Sequence, residues 1–317
     1  MPHKLPPLRD ETRQNRRVAE PAISVRDLRK SYGSNDAVRG IDLEVATGEV
    51  FAFLGPNGAG KTTTTEILEG YRSRSGGEVS VLGTDPARAD RDWRERIGVV
   101  LQQCRMRPEL TVRETLELYA GYYHAPRGVL ETIDQVALGE KAEARAGSLS
   151  GGQLRRLDVA VALIGDPELL FLDEPTTGFD PSARRQAWEV IGGLRSLGKT
   201  VFLTTHYMDE AQHLADRVGI IAGGRIVAEG PPDELGADVV ATEIRFRLPE
   251  GVALSTLPLS EVTQEGRFVS ARTEEPVRAL NELTGWALAE GVELAGLQVG
   301  SPTLEDIYLE LTEPGAA

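Results

Sequence analysis

Apolar and polar positions along the chain fall into three regimes. Residues 1–21 are rich in Pro, Arg and Glu with few apolar positions, a composition that predicts a mobile tail. From Ala22 the pattern becomes regular. Ile23-Ser24-Val25 predicts a strand start, and Ile41, Leu43 and Val45 recur at period two with Asp42 and Glu44 between them, predicting a half-exposed antiparallel strand. The run Val50–Leu54 predicts a buried strand, followed by a helix over about Lys61–Glu69. Gly76-Gly77 leads into a short hairpin-like element over Glu78–Gly83, and Arg96–Leu101 predicts another buried strand. Thr111-Val112-Arg113-Glu114 forms a capping box for a helix to about Tyr123, with helical character resuming after Pro126–Gly128 to about Leu138. Leu154, Leu157, Val161 and Ile164 share one face of a further helix, and the apolar run Leu169–Leu172 and the stretch Thr200–Thr205 predict two more buried strands.

The third regime is residues 236–317. Glu243–Leu248 alternates strictly, Arg267-Phe268-Val269 follows Glu265-Gly266, Val277–Ala289 predicts a helix and Val292–Val299 a strand, and Ser301-Pro302 caps a closing helix through Leu311. The predicted order there is ββαβα, without catalytic residues in a recognisable pattern.

Length and charge narrow the classes. A chain of 317 residues suggests one large domain or one domain with a smaller companion, and 40% hydrophobic with 26% charged residues is ordinary globular composition. No run approaches the roughly 18 apolar residues that span a bilayer, so membrane work requires a partner. The net charge of −14 argues against a general nucleic-acid binder, which carries a basic face. The single cysteine, Cys104, excludes an intramolecular disulfide and fits a reducing cytoplasm. Arg16-Arg17 is not an export signal, because no apolar segment follows it.

The chemistry concentrates at the ends of the buried strands. Gly55-Pro56-Asn57-Gly58-Ala59-Gly60-Lys61-Thr62, followed by Thr63, fits G-x-x-x-x-G-K-[ST] between a strand and a helix. Glycines let successive backbone N–H groups curl around an anion at the positive end of the helix. Lys61 then reaches the terminal phosphates and the Thr62 hydroxyl ligates Mg²⁺. Leu149-Ser150-Gly151-Gly152-Gln153 opens another helix with Ser150 as N-cap, either a second anion site or simply a helix start. Asp173 and Glu174 close the strand that begins at Leu169; two carboxylates there can divide the work, one holding the metal shell and the other accepting a proton from water. Gln102-Gln103 and His206 close two other strands, where ligands gather in α/β sheets. Tyr32, upstream of the glycine loop, either stacks on a nucleotide base or sits as a surface tyrosine.

Together these residues, in this order, resemble the nucleotide-binding subunit of an ABC transporter over about residues 22–235. The resemblance assigns Gly55–Thr62 to the Walker A loop, Leu149–Gln153 to the signature, Leu169–Asp173 to the Walker B strand and Glu174 to the general base. Gln102 matches the Q-loop glutamine as the residue directly after its strand, Asp180 the D-loop aspartate, His206 the switch histidine and Tyr32 the adenine-stacking aromatic. It implies an α/β fold, a RecA-like P-loop NTPase core with an antiparallel sheet and a helical signature subdomain at about 104–165, plus a small α+β C-terminal domain. Lys61, Gln102, Glu174 and His206 would take part in ATP hydrolysis, with Thr62, Gln102 and Asp173 around Mg²⁺. Phe179 stands where the family usually has leucine, and Leu154 where a polar residue is common.

The resemblance also implies a composite site, in which the signature of one subunit closes over the ATP of the other, so one phosphate loop and one signature per chain call for a second ATP-binding subunit, as in a homodimer. The other implied partner is a separate transmembrane permease, with this chain peripheral on the cytoplasmic face of the membrane and no nucleic acid bound. The ending Pro302–Leu311 resembles the C-terminal extension of drug-resistance-type ABC-2 exporter ATPases, a regulatory or dimer-supporting module. The expectation is an exporter of drugs, antibiotics, lipids or polysaccharides. A soluble ABC ATPase of translation or DNA repair would carry two cassettes or a long coiled-coil insertion, and neither is present. An unrelated P-loop kinase or GTPase would lack the signature and His206.

Overall fold

The computed structural model describes residues 20–101, 106–235, 242–249 and 251–300. Its first strands, β1 (Ile23–Tyr32) and β2 (Asn35–Val45), pair antiparallel, and the buried β3 (Val50–Leu54) follows. Next come α1 (Lys61–Leu68), β4 (Gly76–Val81), α2 (Arg91–Glu95) and β5 (Ile97–Val100), then the helices α3 (Val112–Ala120), α4 (Val129–Gln135) and α5 (Gly151–Leu163). The chain returns to β6 (Leu169–Asp173), α6 (Pro181–Ser196), β7 (Thr200–Thr205), α7 (Met208–Leu214), β8 (Arg217–Ala222) and β9 (Arg225–Gly230). Beyond these lie β10 (Thr242–Arg247), β11 (Val262–Glu265), β12 (Phe268–Thr273), α8 (Pro276–Glu290) and β13 (Gln298–Gly300).

The central sheet has the order β5-β6-β7-β3-β8-β9, parallel except for the β8–β9 pair. Strands β3 and β7 are buried along their whole length, which is why their sequences show no alternation. Their side chains nevertheless alternate between two cores. Val50, Ala52 and Leu54 face the side covered by α3 to α6, whereas Phe51 and Phe53 join the core under the antiparallel sheet β2-β1-β4. In that second core Phe51, Phe53 and Phe171 surround Phe202 at ring-centroid distances of 5.7, 5.6 and 5.8 Å. Because β3, β5, β6 and β7 run parallel, their carboxyl ends lie on one edge of the sheet, where ligands bind in such folds.

Four expectations are corrected. Residues 78–83 do not form a local hairpin: β4 pairs antiparallel with β1, Val81 opposite Ile23, because the apolar Val79 and Val81 are buried only beneath that distant partner. The helix expected to reach Tyr123 stops at Ala120, with Gly121 as its C-cap. Among the described residues after 241 the order is βββαβ, on a sheet ordered β11-β12-β10-β13 with Ile244, Phe246, Leu257, Val269 and Leu283 at the centre of its core. The strand expected from Val292 shortens to Gln298–Gly300, since Gly291 and Gly296 take left-handed backbone (φ 66° and 69°) and break the extended run. The closing helix expected over 302–311 lies outside the described residues, as do the tail 1–19 and Cys104. No helix among the described residues is long and apolar enough to cross a membrane.

Candidate nucleotide-binding site

The glycine loop leaves β3 at Gly55 and closes at Gly60, and at both positions only glycine fits. A Cβ on Gly55 would lie 2.4 Å from the Ile221 carbonyl oxygen. On Gly60, whose φ is 112°, it would lie 2.6 Å from the Ala37 carbonyl oxygen. The loop is therefore wedged against β8 and β2, with Pro56, Asn57 and Gly58 exposed and Ala59 buried. Gly60 supplies no side-chain cap to α1, so the first N–H groups of that helix stay available to an anion.

Lys61 folds back over this loop: its Nζ donates to the Gly55 carbonyl at 2.6 Å and to the Pro56 carbonyl at 3.2 Å. Burial lowers its pKa, and the nearby carboxylates of Glu174 and Asp173 oppose that shift. Thr62 is exposed on the first turn of α1, with Thr63 half-buried beside it.

The two acids at the end of β6 have different partners. Thr204 on the neighbouring β7 donates its hydroxyl to Asp173 Oδ1 at 2.5 Å. The same hydroxyl oxygen accepts the Glu174 N–H at 3.1 Å, as does the Thr204 carbonyl at 3.1 Å. Glu174 itself takes a left-handed backbone with φ 43°, a conformation that costs a non-glycine residue about 1 kcal/mol or more and that its neighbours must hold in place. Its carboxylate accepts the Thr177 hydroxyl at 3.1 Å and lies 3.3 Å from His206 Nδ1. One strand end thus aims two consecutive carboxylates at different neighbours.

Ser150 caps α5 in a reciprocal box: its Oγ accepts the Gln153 N–H at 3.3 Å while Gln153 Oε1 accepts the Ser150 N–H at 3.0 Å. Leu149 is half-buried, Ser150 and Gly151 face solvent, and nothing lies within 4 Å of a Cβ added to Gly151, so a ligand from outside the chain can approach this helix end. Asp180 caps α6, its Oδ1 accepting the N–H groups of Ser182 and Ala183 at 2.8 and 2.9 Å. Tyr32 stands exposed at the end of β1 with Lys30 Nζ 5.0 Å and the Arg72 guanidinium 5.5 Å from its ring. Gln102 and Gln103 lie outside the described residues.

The structure thus joins Lys61, Asp173, Glu174 and His206 in one electrostatic group, while Ser150 and Asp180 commit their side chains to their own helix starts. Three contributors were not legible in the sequence. Thr204 and Thr177 hold the acids, and their only signal was a hydroxyl residue beside a strand end. Arg155, buried on α5, donates to the carbonyls of Leu101, Asp173 (2.8 Å) and Pro175 (3.1 Å), tying the signature helix to the ends of β5 and β6. No local pattern announces that role.

Residues 38–177 match the ABC transporter family, and residues 242–303 match the C-terminal domain of ABC transporter domain-containing protein-like sequences. The chain is 38% identical over 306 residues to the daunorubicin resistance ATP-binding protein DrrA3 of Streptomyces coeruleorubidus, covering 93% of this chain and 97% of that protein. The chain belongs to the ABC transporter family of ATP-binding subunits. It is 42% identical over 305 residues to the Nod factor export ATP-binding protein I of Rhizobium meliloti, covering 92% and 88% of the two chains. Among solved structures, the ABC cassette cbiO1 of Clostridium perfringens superposes with TM-score 0.63 at 27% identity, over 70% of this chain and 93% of that one. The cassette MJ0796, a dimer in a post-hydrolysis state with ADP and Pi, superposes with TM-score 0.58 at 27% identity, over 66% and 98%. An ABC cassette with this site is an ATPase, and the kinase and GTPase readings are set aside.

Proposed function

We propose that the cassette is the ATP-hydrolysing subunit of an ABC-2 exporter of drugs, antibiotics, lipids or polysaccharides, and that it works with a separate permease on the cytoplasmic face of the membrane. Two copies would form the working unit, each Ser150 helix end closing on the ATP held by the other copy. The relatives named for drug resistance and Nod factor export support the exporter class. The proposed division of the chain is a tail (1–21), a cassette (22–235, with a helical part at about 104–165) and a C-terminal module (236–317).

The observation that carries the chemistry is the split between Asp173 and Glu174 around Thr204. The loop N–H groups and Lys61 bind the phosphates, Lys61 using a donor beyond the two it gives to the Gly55 and Pro56 carbonyls or exchanging one of them. Thr62 and Asp173, with Gln102, are the residues that would hold Mg²⁺, which when bound offsets phosphate charge. The hydroxyl of Thr62, the carboxylate of Asp173 and the amide of Gln102 are oxygen donors of the kind such a cation takes, with phosphate and water oxygens to complete its shell. Glu174, turned away from Asp173 and braced by Thr177 and His206, accepts the proton of the attacking water, while His206 senses the terminal phosphate.

The test replaces Glu174 by glutamine, keeping size and polarity without the proton acceptor. Hydrolysis should fall by roughly 10²- to 10⁴-fold while ATP binding persists. Size-exclusion chromatography with ATP should then show a trapped dimer, lost on adding Ser150→Arg. Wild-type turnover in Glu174→Gln would refute the general-base role, and an inactive, ATP-bound monomer would refute self-sufficient dimerisation.

A further inference from the structure

A fully buried acid, Glu210 on α7, takes no part in the hydrolysis described above. Its Oε1 accepts the Thr176 hydroxyl at 2.8 Å and the Trp188 indole N–H at 3.2 Å. Thr176 is also fully buried and stands two residues after Glu174, in the turn that leaves β6. Trp188 lies on α6, the helix that Asp180 caps. One side chain therefore ties the turn that carries Glu174 to the helix that follows His206. A carboxyl group in such a place is unfavourable in itself: burial pushes its pKa up, and the hydroxyls of Thr205 and Thr176 with the Trp188 indole pull it down. An apolar side chain of similar size would fill the space without that penalty, so the acid is explained by what its oxygens hold rather than by packing.

The turn it holds is a strained one. Glu174 sits at φ 43°, left-handed backbone that a non-glycine residue keeps only when its surroundings impose it. On the amino side, β6 is fixed by its ladder with β7 and by the bonds from Thr204. On the carboxyl side, Arg155 of α5 holds the Pro175 carbonyl and Glu210 of α7 holds the Thr176 hydroxyl, while the Thr176 carbonyl accepts the Phe179 N–H at 3.1 Å. The start of α7 in turn sets His206. The Tyr207 N–H donates to Thr205 Oγ1 at 2.9 Å, and the Tyr207 ring lies 4.1 Å from the His206 ring. Arg184 of α6 stacks on Tyr207 at 4.3 Å and pairs with Asp209 at 3.2 Å. Across the gap between this packed segment and the turn, His206 Nδ1 lies 3.3 Å from Glu174 Oε1.

We propose that Glu210 is a positioning residue for hydrolysis: through Thr176 it holds the turn after Glu174 against the helix after His206, and so sets the separation between the carboxylate that receives the proton and the histidine that senses the terminal phosphate. This rests on the roles of Glu174 and His206 proposed above. Trp188 donates to the same oxygen but leads away from Glu174, into α6, where its ring stacks on His213 at 4.9 Å. The two hydrogen bonds therefore have different duties.

The experiment uses the full-length chain and removes the two donors one at a time. Thr176→Val keeps the shape of the side chain without its hydroxyl, and Trp188→Phe keeps a ring without its N–H. Each strips one bond from a buried carboxylate, and both should lower the melting temperature. Thr176→Val alone should lower kcat, by about tenfold or more, with KM and equilibrium binding of ATP within about twofold of wild type. Trp188→Phe should leave kcat unchanged. A role in stability alone would move kcat in neither variant or in both. Single-turnover hydrolysis in the Glu174→Gln background closes a double-mutant cycle: once the proton acceptor is gone its position no longer matters, and Thr176→Val should change the residual rate by less than about twofold. An unchanged kcat in folded Thr176→Val, an equal fall in Trp188→Phe, or the full fall repeated in the Glu174→Gln background overturns the proposal. Should Thr176→Val not fold, Glu210→Asp, whose carboxylate ends one methylene short of Thr176, takes its place with the same expected results and the same refuting ones. Wild-type turnover in Glu174→Gln removes the reading of the site on which the proposal rests, whereas slow turnover there with an additive cycle removes only the proposal.

Discussion

At the residue scale Thr204 shows how much one hydroxyl can hold. It gives its proton to Asp173 and accepts the Glu174 N–H, so it fixes the spacing of the metal-side and water-side acids together. Thr204→Val keeps the shape but removes both bonds; kcat should fall about 10- to 100-fold, as for other groups that orient a site from behind. Steady-state ATPase assays on the folded variant check it, and an unchanged kcat would assign the orientation to the backbone alone. Glu69, the buried C-cap of α1, gives a pH dependence. Burial and the neighbouring acids Asp173 and Glu66 raise its folded pKa to about 8, above the ordinary 4.5, so folding favours the protonated acid. Below about pH 4.5 folded and unfolded chains both carry the proton; as pH rises towards 8 only the unfolded chain gives it up, and wild type loses stability through that window. Glu69→Gln should therefore be more stable than wild type at pH 8–9 by about 2–4 kcal/mol, with the gap closed near pH 4.5, as thermal melts across pH would show. The glycine loop with Lys61, and the pair Asp173 and Glu174, were legible because their chemistry is written in adjacent residues, whereas His206 was a lone residue at a strand end whose role rested on the family resemblance. Thr204 was not, since Asp173 lies 31 positions away in sequence, nor was Arg155, whose Asp173 carbonyl lies 18 away.

At the element scale the buried strands and the capped helices followed from pattern, because apolar runs and capping boxes are local signals. Partner choice did not: the sequence placed β4 in a hairpin, whereas its ladder is with β1, some fifty residues upstream. The strand expected from Val292 was shortened for the opposite reason, since two left-handed glycines outweigh a favourable run of side chains. The two capping boxes allow a comparison of elements with the same local structure and different duties. Thr111 on α3 and Ser150 on α5 both complete reciprocal boxes. Thr111→Ala and Ser150→Ala should each cost about 1 kcal/mol of stability. Only Ser150→Ala should also weaken ATP-dependent dimerisation, because only its helix end is proposed to meet a phosphate. Equal effects of the two on the dimer would reduce the signature serine to a cap.

At the scale of the whole molecule, residues 242–300 build a core of their own around Ile244, Phe246 and Leu283, and none of the nucleotide residues lies there. A chain ending at residue 235 should bind ATP as the full chain does and differ in dimer lifetime, measured by equilibrium binding and by dissociation after ATP dilution; loss of binding by a folded truncation would contradict the proposed division. Arg155 has a further mechanical consequence. Its guanidinium grips three carbonyls, on Leu101, Asp173 and Pro175, part-way along α5, and so sets a pivot in a rigid rod. Along a helix rising 1.5 Å per residue, Ser150 stands about 7.5 Å on one side of that pivot and Ala162 about 10.5 Å on the other. A push of about 2 Å at the Ala162 end would swing the Ser150 end by about 1.4 Å the opposite way. On that geometry a load on one face of the protein would change the gap that a nucleotide is proposed to bridge on the other.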